Sequence, residues 1–147
     1  MPYLIELSFS KNNLSGKIPS SICQLHIAVM DFSSNNISGV IPESICSTAS
    51  LRSLHLSNNR LSGELPLSLK DCTELVLLDA GHNDLKGEIP TWIGESLTRL
   101  EFLKLRSNML AGHIPPNLSR LSALNLSTLQ IMCFWELFQG ALEILLP

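Results

Sequence analysis

One frame, LxxLxLxxNxLxGxIPxxLxxL, recurs along almost the whole chain, and it constrains the fold more than any other feature. Its copies begin at Leu4, Ile27, Leu51, Leu75 and Leu100, so successive steps are 23, 24, 24 and 25 residues. An asparagine returns in each copy (Asn12, Asn35, Asn59, Asn83 and Asn108). So do a glycine (Gly16, Gly39, Gly63, Gly87 and Gly112) and a proline (Pro19, Pro42, Pro66, Pro90 and Pro115). A period of this length marks a chain built from stacked supersecondary units, none able to bury its apolar side alone.

The chemistry of the frame dictates the shape of one unit. LxxLxL alternates with period two, so its leucines point inward and the intervening residues outward. Laying the next copy alongside makes a parallel sheet and a continuous core. The chain must then turn out of the sheet, where a buried asparagine can bond backbone N–H and C=O groups that would otherwise be unpaired. These asparagines are expected to stack as a ladder. The glycine opens a backbone path closed to other residues. The Ile-Pro pair sets an extended stretch that needs no ladder donor. The remaining segment, such as SSICQL or LSLKDC, returns as a helical or 3₁₀ turn. The expected fold class is therefore an α/β repeat solenoid. A parallel β-sheet lies on its concave face and short helical or 3₁₀ turns on its convex face.

Composition agrees. The 147 residues include 29 leucines but only 5% aromatics, which suits a core of one repeated aliphatic side chain. A net charge of −3 and only 16% charged residues argue against a nucleic-acid binder, which normally shows a basic excess. Four cysteines (Cys23, Cys46, Cys72 and Cys133) are too few for a disulfide-built miniprotein, and none has zinc spacing. MPYLIELSFS lacks a basic n-region and an apolar h-region, so no signal peptide is expected. The longest apolar run of the tail, Ile131 to Trp135, is far short of the ~18 residues of a membrane span.

LSGxIP following LxxLxLxxN resembles the plant-type leucine-rich repeat, a right-handed coil. It is similar to the ectodomains of plant receptor-like proteins and leucine-rich-repeat receptor kinases. GEIPTWIGESLTRLEFLKLRSN looks especially like the receptor-like protein group. The resemblance covers residues 4–124. It implies extracellular recognition of a peptide, protein or elicitor at the plasma membrane, in defence or developmental signalling, with a co-receptor kinase as a further partner. A secreted inhibitor of the polygalacturonase-inhibitor type uses the same repeat and is the alternative, together with a non-functional receptor gene fragment. The cysteine-paired caps, membrane helix and kinase of relatives are not seen in the sequence.

Residues 1–124 are read as the solenoid and 125–147 as a separate C-terminal segment. A sixth repeat starting at Leu124 would place its asparagine at position 132, which is Met132. On a helix, Glu136, Gln139, Gly140 and Glu143 fall on one narrow stripe. Trp135, Leu137, Phe138, Leu142, Ile144 and Leu145 cover most of the rest. A capping helix over the open end of the solenoid is expected, since solenoid ends need covering. The alternatives are an out-of-family product of a broken gene model and a membrane-surface helix, which the absence of Lys and Arg disfavours. Tyr3, Leu4, Leu7 and Phe9 are expected to face water at the other end.

Outward strand residues form the candidate ligand face. One column reads Ser8, Asp31, His55, Asp79 and Lys104. The next reads Ser10, Ser33, Ser57, Gly81 and Arg106, and beside it Lys11, Ser34, Asn58, His82 and Ser107. Glu6, Val29, Ser53, Leu77 and Phe102 form a fourth. Residues of one column sit on adjacent strands and touch. Asp31, His55, Asp79, Lys104, Arg106 and His82 supply charge and hydrogen bonds, and Leu77 and Phe102 an apolar anchor for a peptide or protein ligand. Asp31, His55, Asp79 and Ser57 also invite a catalytic-triad or metal reading. An exposed sheet provides neither pocket nor oxyanion hole, nor a tight ligand cluster, so no catalytic residue, metal or cofactor is assigned. Asn13, Asn36, Asn117 and Asn125 stand in N-x-S sequons, which carry glycans only in the secretory pathway. Cys23 and Cys46 hold equivalent places in adjacent coils. Stacked buried thiols are expected there, with a Cys23–Cys46 disulfide as the alternative. Cys72 is read as replacing a core leucine. Ala80 replaces the third strand residue, Phe9, Phe32, Leu56 or Leu105 in other coils, and predicts looser packing there.

Overall fold

A computed structural model describes residues 5–125, 130 and 131. Among the described residues, ten short strands succeed one another. They are β1 (Glu6–Ser8), β2 (Ser15–Gly16), β3 (Val29–Asp31), β4 (Asn36–Val40), β5 (Ser53–His55), β6 (Arg60–Gly63), β7 (Leu77–Asp79), β8 (Asp84–Glu88), β9 (Phe102–Lys104) and β10 (Met109–Ala111). The odd strands form one parallel sheet in the order β1-β3-β5-β7-β9. Sequential strands of the sheet are therefore one full coil apart, which is the signature of a solenoid.

The xxLxL pattern explains the strand face directly. Leu7, Met30, Leu54, Leu78 and Leu103 lie in register across the sheet. Met30, Leu54, Leu78 and Leu103 are buried, while the flanking strand residues are half-buried or exposed. The even strands make a second parallel sheet, β10-β8-β6-β4-β2, which the sequence did not suggest. Its residues are the NxLxG segments. Ile37, Leu61 and Leu85 point into the core from it. The isoleucine or leucine before each proline (Ile18, Ile41, Leu65, Ile89 and Ile114) is buried as well.

The return segments close the coil. 3₁₀ turns cover Ser20–Gln24, Leu67–Asp71 and Pro116–Arg120, and one α-helical turn, α1, covers Trp92–Ser96. Each begins just after its coil's proline, whose fixed φ suits a helix start and whose missing N–H is not needed there. Gly94 in α1 is buried against the next coil. A Cβ added there would lie 2.3 Å from the Asn117 carbonyl oxygen.

The cysteine expectation is corrected here. Cys46 is disulfide-bonded to Cys72, with Cα atoms 5.2 Å apart, and Cys23 is free and buried. Counting from the coil prolines, Cys23 and Cys46 are equivalent (four residues after Pro19 and Pro42), whereas Cys72 lies six after Pro66. The bond thus joins positions offset along the turn, and not the aligned pair.

At the N-terminal end, Leu7 and Phe9 are half-buried, with the Phe9 ring stacked on Phe32 at 5.7 Å between centroids. Tyr3 and Leu4 lie outside the described residues. At the other end, Leu124 is buried, and the Asn125 N–H bonds Glu101 24 residues earlier. Gln130 then bridges Lys104, a step of 26, and Ile131 is buried. The strand layer therefore continues past β9, two residues later than a sixth repeat with its asparagine at 132 would place it. The expected capping helix within 125–147 falls otherwise outside the described residues.

Candidate functional site

The ladder asparagines set the geometry on which the outer face depends. The Asn83 side-chain amide donates to the carbonyls of Leu56, Ala80 and Gly81 at 3.0, 3.2 and 3.1 Å, and its Oδ1 accepts the Leu61 N–H at 2.9 Å. Asn35, Asn59 and Asn108 repeat the pattern, each reaching a carbonyl of the preceding coil and accepting an N–H from it. Among the described residues, Asn12 makes two local bonds, to Phe9 and Ser10. One side chain thus pins the exit of a strand to its neighbour and fixes where the following residues point.

Immediately before each asparagine, the backbone takes a left-handed turn at a non-glycine residue: Lys11, Ser34, Asn58, His82 and Ser107, all with φ between 54 and 56°. Such a turn is strained and persists only where the surroundings over-determine it. Here coil-to-coil bonds do so. The Ser34 N–H donates to Ser57 at 2.9 Å, Asn58 to Gly81 at 3.1 Å and His82 to Arg106 at 2.9 Å. The repeat frame names glycine as the residue of special conformation and leaves this second position unmarked.

The outer columns align by strand register. Ser8, Asp31, His55, Asp79 and Lys104 stand side by side, as do Glu6, Val29, Ser53, Leu77 and Phe102. Asp31, His55, Asp79, Lys104, Leu77 and Phe102 are all half-buried. The two aspartates are partly committed to the local turn. Asp31 Oδ1 accepts the Ser33 hydroxyl at 2.6 Å and the Ser33 N–H at 2.9 Å, and Asp79 Oδ1 accepts the Gly81 N–H at 3.2 Å.

Four of the charged candidates converge. Asp79, His82, Lys104 and Arg106 line a cavity of about 180 Å³ near the C-terminal end of the sheet, with Ser57, Asn58, Gly81 and Gln130. Asp31 and His55 share the column but not the cavity. Leu77 and Phe102 are register partners beside it. Two cationic side chains and a histidine against one carboxylate, itself engaged by Gly81, make a polar recess suited to an anionic or strongly polar group. Gly81, where the first three coils carry serine, adds no side chain to the recess. Gln130 belongs to the recess and was not legible, because the preceding 23–25-residue step puts a different residue beside Lys104.

Among the described residues, no group of His, Cys, Asp and Glu could hold a metal ion, and no helix is long and apolar enough to cross a membrane. The sequons differ in setting. Asn13 and Asn125 are exposed, while Asn36 is half-buried on β4. Asn117 uses its Nδ2 to donate to the Thr91 carbonyl at 2.6 Å and to Glu95 at 3.3 Å. Burial of the Cys23 thiol raises its pKa above the ordinary value, with a smaller opposing influence from the Ser44 hydroxyl.

Comparison with known proteins follows the geometry. The family profile described as Leucine Rich Repeat matches residues 3–25, 26–48, 50–72 and 99–121. No curated protein matches the chain. Among solved structures, the chain is similar to the plant peptide hormone receptor RGFR1 in complex with RGF2. Identity is 36% and the TM-score 0.80, over 83% of this chain and 20% of that one. It is similar to the Arabidopsis receptor kinase HAESA in complex with the peptide hormone IDA and the co-receptor SERK1. There identity is 36% and the TM-score 0.75, over 87% of this chain and 20% of that one. The BIR2 ectodomain from Arabidopsis thaliana is 34% identical with a TM-score of 0.74, over 89% of this chain and 70% of that one. The chain thus spans about a fifth of the length of the first two receptors.

Proposed function

This chain belongs to the leucine-rich-repeat family, and from that premise we propose that it is a non-enzymatic recognition module of a plant cell-surface receptor-like protein. Its concave sheet binds a peptide or protein ligand in defence or developmental signalling, on the extracellular side of the plasma membrane. The observation that carries this reading is the convergence of Asp79, His82, Lys104 and Arg106 on one polar recess beside the apolar pair Leu77 and Phe102.

The physical division of labour is plain. Lys104 and Arg106 receive an anionic group, and Asp79 on the neighbouring strand offsets part of their charge. His82 adds an imidazole able to donate or accept a hydrogen bond. Leu77 and Phe102 supply an apolar anchor whose burial drives affinity, while Asp31 and His55 extend polar contact toward the N-terminal coils. Two of the similar structures hold peptide hormones, and one also holds a co-receptor kinase, which supports the same two partner classes here. Of the sequons, Asn13 and Asn125 are the glycan acceptors this reading favours, since both are exposed while Asn117 is engaged internally.

Selection of phage-displayed random heptapeptides on the immobilised chain tests the proposal. Selected peptides should bind at least tenfold more weakly to the Lys104→Ala, Arg106→Ala double variant. Peptides indifferent to every concave substitution would overturn the reading.

A further inference from the structure

We propose a second binding surface, on the flank of the solenoid, that takes an extended segment of a partner protein carrying alternating basic and apolar side chains. A groove of about 750 Å³ runs there across three successive coils, between the second sheet and the convex turns. That volume lies within the range of ligand sites. Coils follow one another at ~4.8 Å, so three of them span about 10 Å, the reach of three to four extended residues.

The lining has two parts. Val40, Leu67 and Trp92 supply an apolar surface, and Val40 and Leu67 are 58% and 56% exposed. Glu43, Glu64 and Glu88 stand on three consecutive coils around it, and among the described residues no Lys, Arg or His lines the groove. Exposed apolar groups beside unbalanced carboxylates are complemented by a ligand that brings both apolar and cationic side chains. Glu64 and Glu88 lay their methylene stems over Gly87 and Gly112 of the next coil, with Cγ 2.9 and 3.1 Å from where a Cβ would stand. Glu43 accepts the Ser68 N–H at 3.3 Å.

The charge excludes other occupants. Nucleic acid and anionic lipid are both repelled by three clustered carboxylates. The surface is separate from the concave recess, so neither proposal depends on the other.

The register position itself provides a clean test. In the first coil the same site is Lys17, whose stem covers Gly39 just as Glu64 covers Gly87. The fold therefore accepts lysine there, and Glu64→Lys with Glu88→Lys reverses the charge without disturbing the backbone. A fluorescein-labelled peptide of alternating Arg and Leu is titrated against the full chain by anisotropy, beside peptides of alternating Glu and Leu and of alternating Arg and Ser. The Arg–Leu peptide should bind saturably, and the double reversal should weaken it at least twentyfold while admitting the Glu–Leu peptide. Trp92→Ala should weaken it about fivefold, and Lys104→Glu on the concave face should leave it unchanged. Equal binding of the Arg–Leu and Arg–Ser peptides, insensitivity to the double reversal, or loss on Lys104→Glu would each overturn the proposal. So would a dimer in sedimentation that the double reversal dissociates, because a second copy would then occupy the groove.

Discussion

The first and fourth coils follow the same sequence frame yet stand in different physical states. In the first, Leu7 is half-buried, Leu14 and Leu25 are 41% and 45% exposed, and Asn12 makes two short-range bonds. In the fourth, Leu75, Leu78 and Leu85 are fully buried, and Asn83, itself buried, makes four bonds that join two coils. Among the described residues the first coil has a neighbour on one side only. The lesson is that a leucine of the frame is apolar by its own nature but buried by the next coil. Stability in such a stack resides in the interfaces between units.

The comparison is sharpest at the ladder. Asn83→Ala removes four hydrogen bonds at once: the Leu61 N–H loses its acceptor in a dry interior, and the Leu56, Ala80 and Gly81 carbonyls each lose one of two donors. It should lower stability by about 4 kcal/mol, against about 1 kcal/mol or less for Asn12→Ala, as read from urea midpoints. Equal losses would break the claim that the interface, and not the motif, sets the energy. The disulfide ties the second coil to the third. Cys72→Ser, which opens it, should remove about 3 kcal/mol by the chain-entropy argument for a closure of this length. Gly94→Ala drives a methyl into the Asn117 backbone at the interface of the fourth and fifth coils. It should remove about 2 kcal/mol in the same assay, where an exposed glycine such as Gly16, with nothing near its missing Cβ, offers no such steric contact.

The smallest effect concerns Cys23, a fully buried residue in the largely exposed first coil. Its folded pKa is raised above 9.0 by burial, so the unfolded chain ionises first on raising the pH. Its stabilising contribution is complete below the unfolded value and is lost as the pH climbs through the folded one. Alkaline thermal melts should therefore show a decline above about pH 9 that is shallower in Cys23→Ala. An unchanged decline would place the thiol outside the cooperative interior.

Much of the strand layer could be read without coordinates. The registers of Leu54 with Leu78 and of Asp79 with Lys104 follow from a constant step and a period of two. The second sheet was not legible, because NxLxG carries the turn signal of glycine and shows its pairing only when another copy lies beside it. The left-handed turn at His82 was equally silent. Its φ is enforced by bonds to the next coil, and Lys, Ser, Asn and His occupy that position without a shared chemistry. The flank groove arises from Val40, Glu64 and Trp92, which are unremarkable variable positions of three separate repeats.

Periodicity alone determined that this chain stacks coils, which face of each strand turns inward and which asparagines line up. These are properties of spacing, and spacing is written in the residues. Tertiary structure decided which cysteines meet, how buried each coil becomes, where Gln130 enters the sheet and which charges share a recess. Those outcomes depend on distances between different coils to within a few ångströms, and an insertion or an offset of two residues changes them without altering the frame.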